Sequence, residues 1–210
     1  MDNLQIGVFG WQYSNWLGKY YPEDLPEEWM LDYYSNAYRV VLVPEQAWLS
    51  WNDEQIEETL DSVEAPFYFY LQVLESVDEI KQQQLLKIKA VFAEALNGLV
   101  VFSEEQKIEP EYCNVPVTLI SKANVLPGWN WSLTHGDNGY VCSGAVCGLV
   151  FDMTNDAKKQ TALLQDFVAS LPESCAGAPL VVYTNKEDAN AEIDMAQVYS
   201  LKTIGEFLGY

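Results

Sequence analysis

The chain has 210 residues, of which 49% are hydrophobic and 13% aromatic. That content supplies a sizeable core over a single domain, 1–210, and excludes a disordered chain. Eleven basic against 31 acidic side chains leave a net charge of −20, a field that keeps the protein soluble and opposes nucleic acid and anionic membrane surfaces as partners.

Gln5–Phe9 is an apolar run of strand length, and it feeds Gly10-Trp11-Gln12-Tyr13 and a loop dense in aromatic rings. Pro26 suits the first position of a helix, after which Trp29, Met30, Tyr33 and Tyr34 recur at helical spacing. Tyr38–Val43, bounded by Pro44, reads as a buried strand. Asn52 caps a helix over 53–63, with Gln55 placed to close a capping box. Phe67–Val73 is a third strand. Ser76 with Glu79 suggests a second capping box for a helix reaching about Leu96, with Gly98 as its stop. Leu99–Phe102 and Val115–Ile120 are the next strands.

From Val125 to Met153 the rhythm breaks. Six Gly and Pro residues punctuate the stretch, and the strand candidates Gly139–Cys142 and Cys147–Phe151 leave no room for a helix between them. Asp156–Leu171 is an amphipathic helix, Leu180–Tyr183 the last strand, and 193–208 a closing helix.

Strands alternating with helices predict βαβ units and a mostly parallel sheet. The fold class expected is α/β, a TIM-barrel-like (β/α) barrel. Such barrels are typically about 250 residues, so one βα unit is expected to be reduced. A doubly wound open sheet would carry a Gly-rich phosphate turn after the first strand, and Gly7-x-x-Gly10-Trp11 does not match it.

Met1-Asp2-Asn3 opens acidic and the following apolar run is too short for a secretory signal, so a cytoplasmic location with reduced thiols is expected. Cys113, Cys142, Cys147 and Cys175 form no C-x-x-C pair, and the single His, His135, cannot complete a multi-His site. No metal and no cofactor are expected. A triad built from Ser132, His135 and Asp137 rests on local spacing alone.

The opening segment resembles the YecE-like family, domain of unknown function family 72. The resemblance is carried by Ile6, Gly7, Gly10, Trp11 and Tyr13, then Trp16, Gly18, Tyr20, Tyr21 and Pro22, then Leu25, Pro26, Trp29, Leu31, Tyr33 and Tyr34. It covers about the first 40 residues, with Val182-Tyr183-Thr184-Asn185 a weaker match to a later family strand. It implies a TIM-barrel-like fold of undetermined activity. Where the family carries Val-Glu-x-Asn at strand two, this chain has Val40-Val41-Leu42-Val43. Where the family carries Glu-Phe-Arg-His at strand five, it has Thr118-Leu119-Ile120-Ser121. The family's Tyr-Val-Arg-x-His-Gly cannot be present, because the only Arg is Arg39 and the only His is His135.

A parallel barrel builds its site at the C-terminal ends of the strands. Those ends offer Glu45, Glu104 and Asp152 as catalytic carboxylates for a hydrolase or lyase acting on a sugar-like substrate. They offer Trp11, Tyr13, Tyr20, Gln72, Lys122 and Asn185 as ligand-binding groups, with the aromatic faces suited to stacking. Each has a plainer reading, solvated surface for the carboxylates and barrel core for the rings. The expected function is a diverged, non-catalytic barrel whose aromatic cleft binds a small ligand or a protein partner. The alternatives are carboxylate catalysis and an assembly subunit with an exposed patch around Trp129 and Trp131.

Overall fold

The computed structural model describes residues 4–105, 107–132, 139–151, 153–173, 175, 177–184 and 193–210. Its strands are β1 (Leu4–Phe9), β2 (Val40–Val43), β3 (Tyr68–Leu74), β4 (Leu96–Phe102), β5 (Glu111–Tyr112), β6 (Val115–Ser121), β7 (Trp129–Ser132), β8 (Val141–Gly144), β9 (Gly148–Val150) and β10 (Ala178–Val182). Its helices are α1 (Met30–Ser35), α2 (Glu45–Ser50), α3 (Asp53–Asp61), α4 (Glu79–Phe92), α5 (Ala157–Ser170) and α6 (Met195–Leu208).

The strands form one sheet in the order β7-β8-β6-β4-β3-β2-β1-β10-β9, with β5 on β6. From β6 to β9 every pairing is parallel; β8 runs antiparallel to β6, and β7 antiparallel to β8. The sheet curls into a nearly closed barrel surrounded by helices. β4 and β10 lie four strand spacings apart, which in a flat sheet is ~19 Å. Yet the rings of Phe102 and Tyr183, at the ends of these two strands, have centroids only 5.0 Å apart.

Local chemistry explains the elements. All four residues of β2 are fully buried, as a parallel strand covered on both faces requires. α3 starts at the capping box expected from Asn52 and Gln55. α4 is capped two residues later than expected. Asp78, directly before the first helical residue, accepts from the Lys81 amide, so it rather than Ser76 is the cap. The helix then ends at Phe92, and Gly98 lies inside β4 instead of stopping it.

α2 and β7 were not legible. α2 is a six-residue turn of helix that begins straight after Pro44. β7 supplies the hairpin β7–β8, which stands where a helix would join β6 to β9, and this is the reduced unit. The β4–β6 crossover also has no helix among the described residues.

The exposed patch that the assembly alternative would place around Trp129 and Trp131 is absent, because α5 covers both rings. Trp129 Nε1 donates to Ser170 Oγ at 3.1 Å and Trp131 Nε1 to Asp166 Oδ2 at 2.9 Å. Both indoles pack edge-on against Phe167.

Candidate functional site

The aromatic loop after β1 is fastened to backbone at its polar tips. The Tyr13 hydroxyl donates to the Phe9 carbonyl, and Tyr21 Oη donates to the Trp11 carbonyl at 2.8 Å. Trp16 Nε1 donates to the Ile193 carbonyl at 2.9 Å, which ties the loop to the segment entering α6. Tyr13 and Trp16 stack at 4.4 Å. Tyr34, a residue of α1, is fully buried. Its hydroxyl accepts from the Val8 amide at 3.1 Å and donates to the Val40 carbonyl at 2.8 Å, so it bridges β1 and β2. Burial pushes the Tyr13, Tyr21 and Tyr34 phenols well above their ordinary pKa, so they stay protonated donors.

Two glycines of the same string are dictated by space and backbone. A Cβ on Gly7 would sit 2.2 Å from the Val40 carbonyl oxygen. Gly10 has φ +69°, which turns the chain off the end of β1.

At the C-terminal mouth of the barrel lies a cavity of about 430 Å³ walled by Phe9, Phe102, Phe151, Tyr183 and Tyr140. Gln72, Glu45 and Gln46 also line it. Gln72 is buried; its Nε2 donates to Tyr183 Oη at 3.0 Å and its Oε1 accepts from the Glu45 amide at 3.2 Å. The Glu45 carboxylate pairs with Lys81 Nζ at 2.8 Å and accepts from the Leu74 amide at 2.7 Å. Lys81 Nζ also donates to the Leu74 carbonyl at 2.7 Å. Lys81 and Glu45 therefore form a small network with the end of β3, each side chain only 13% exposed.

The structure brings some of the predicted residues together and separates others. Glu45 and Gln72 share the mouth cavity. Glu104 is outside its wall, on the surface. There its carboxylate accepts from Ser121 Oγ at 2.6 Å, the Lys122 amide at 2.9 Å and the Ala123 amide at 3.1 Å, which hold its pKa below the ordinary carboxylate range. These bonds fasten the ends of β4 and β6 to each other. Lys122 is exposed, with Nζ 4.6 Å from the centre of the Tyr140 ring. Trp11 is buried in the loop and borders a shallow cavity of about 150 Å³ beside the mouth. Tyr13 sits in the Trp16 stack. Tyr20 borders a different cavity, about 640 Å³, outside the barrel between the loop at Asn15–Tyr20 and the start of α6. Asp152, Asn185 and His135 lie outside the described residues.

The rings that shape the mouth were missed as site residues. Their signal is positional. Phe9 and Phe102 close β1 and β4, and Phe151 and Tyr183 directly follow β9 and β10, so each is the aromatic residue at a strand's C-terminal end. Lys81 carries no local signal, being 36 positions from its partner Glu45. Among the described residues no group of three His, Cys, Asp or Glu side chains is arranged to hold a metal ion.

A family model described as a protein of unknown function, DUF72, matches residues 5–126, more than half of the chain. Two solved structures are similar over nearly all of it. One is a DUF72 family protein from Thermotoga maritima MSB8, 12% identical, with 99% of each chain covered and a TM-score of 0.58. The other is a DUF72 family protein from Enterococcus faecalis V583, also 12% identical, covering 97% of this chain and 95% of that one, with a TM-score of 0.58. At that identity the likeness speaks for the fold. No curated protein matches.

Proposed function

We propose a ligand-binding, non-catalytic role for this chain, which belongs to the DUF72 family of proteins of unknown function. The occupant is a small uncharged molecule with a flat apolar face, held at the barrel mouth among Phe9, Phe102, Phe151 and Tyr183. Such pockets use apolar and aromatic walls for affinity and a few polar groups for orientation. The observation that carries this reading is the state of Glu45. It is the one carboxylate among the described residues of the cavity wall, and Lys81 and the Leu74 amide already hold it. The Glu45 carboxylate is already engaged by those partners, and most of the remaining wall is aromatic.

A small molecule is preferred as partner over nucleic acid or a membrane surface, which the charge of −20 disfavours. Among the described residues no helix is long and apolar enough to cross a membrane. The cytoplasm is the proposed location, in keeping with free Cys113, Cys142, Cys147 and Cys175.

The test is differential scanning fluorimetry with neutral monosaccharides and nucleosides at millimolar concentration, on wild type and Phe151→Ala. A saturable rise in Tm in the wild type that the variant loses supports the role. No rise with any compound contradicts it. Turnover of a bound compound that disappears in Glu45→Gln establishes carboxylate catalysis in its place.

A further inference from the structure

We infer that the ligand is elongated, an uncharged linear oligosaccharide that leaves the barrel mouth over Trp11 and ends against Trp51; this rests on the binding role proposed above. Three cavities lie in series and share lining residues. The mouth shares Pro44 and Gln46 with the 150 Å³ hollow over Gly10. That hollow shares Trp11 and Gln12 with a further cavity of about 360 Å³ between α3 and the turn leading into α1. The opening Gly10-Trp11-Gln12 string thus lies between the mouth and the far cavity, where a chain spanning both would cross it.

The chemistry repeats along the series. Half-buried aromatic rings border the mouth (Phe151) and the far end (Trp51), and the buried Trp11 borders the hollow between them. Exposed amides of Gln46 and Gln12 lie between them. A pyranose chain presents that alternation: apolar C–H faces that stack on rings, and hydroxyls that pair with planar amides and carboxylates. A single small ligand needs only the mouth.

The far end also fixes the charge of the occupant. Glu27, Glu28 and Glu58 border it, and none is in an ion pair among the described residues. No basic residue lines this part of the cleft. Glu27 and Glu28 also complement the helix dipole where the chain enters α1, which accounts for their stability there. Glu58, in the body of α3, has no such role. Carboxylates accept bonds from sugar hydroxyls and repel an anionic chain.

Calorimetric titration tests the inference with the linear hexasaccharides of glucose and of N-acetylglucosamine, their monosaccharides, and a galacturonic acid hexamer. The expected result is a neutral hexasaccharide binding at least about tenfold tighter than its monosaccharide, with no binding of the anionic hexamer. Glu28→Ala/Glu58→Ala, which changes only exposed side chains, and Trp51→Ala should bring the hexamer back to the affinity of the monosaccharide without altering the latter. A hexamer that binds no tighter than its monosaccharide overturns the extended cleft and leaves the mouth reading standing. Binding of no saccharide at all also overturns it, and the mouth reading then rests on nucleosides in the thermal assay.

Discussion

The side chains of Gln72 and Tyr183 meet across the barrel, Nε2 of one donating to the hydroxyl of the other at 3.0 Å. Gln72 sits on β3 and Tyr183 follows β10, three strand spacings away around the sheet. The bond is therefore a strut across the mouth, and Gln72 extends it to the start of α2 by accepting from the Glu45 amide. Gln72→Leu keeps the apolar volume and removes both bonds, leaving the Glu45 amide without its acceptor. Urea unfolding should show a loss of about 2 kcal/mol, the cost of stranding buried polar groups.

Tyr34 makes a second prediction, on the outside of the barrel. Its hydroxyl links the Val8 amide to the Val40 carbonyl with no exposure to water. Tyr34→Phe removes the oxygen and keeps the ring stacked on Tyr38. The expected cost is about 1–3 kcal/mol. Hydrogen exchange should localise the effect, with the Val8 amide losing protection ahead of its neighbours in β1.

Glu104 gives the pH dependence. Its pKa is depressed in the folded protein, first by the Ser121 hydroxyl and then by the Lys122 amide. A depressed carboxylate contributes stability above its unfolded pKa of about 4.3, and that contribution is lost as pH falls through the lower folded value. The group is exposed, so the contribution is no more than about 1 kcal/mol. Glu104→Gln should therefore be less stable than the wild type at pH 7. The gap should narrow as the pH is lowered below that unfolded value, as followed by urea midpoints across the range.

The fold was legible because its determinants are local. Gly7, Gly10, Tyr21 and Tyr34 each meet a backbone or packing demand within or beside the first two strands, and a string of such residues specifies that arrangement. The Asn52–Gln55 box was legible for the same reason. Whether the Trp129 and Trp131 rings are exposed was not legible, because the helix that covers them, α5, comes some 30 positions later and the alternating burial of β7 shows only once that helix is in place. The mouth was half legible. Glu45 and Gln72 stand at strand ends, where barrel chemistry is sought, but the Lys81 partner and the four converging rings come from separate parts of the chain. Trp11 and Tyr13 drew attention by composition, yet their environment is set by hydrogen bonds to Trp11 and Phe9 carbonyls that only the folded loop creates.

The central claim is that the barrel mouth, and not the larger cavity beside α6, receives the ligand. Backbone amide chemical shifts during a titration with the compound that raises Tm most test it directly. The account predicts saturable shifts, with one common Kd, at Gly10, Gln46, Val73, Phe102 and Tyr183. Shifts confined to Tyr38, Ala196 and Tyr199, with the mouth amides unmoved, would contradict it.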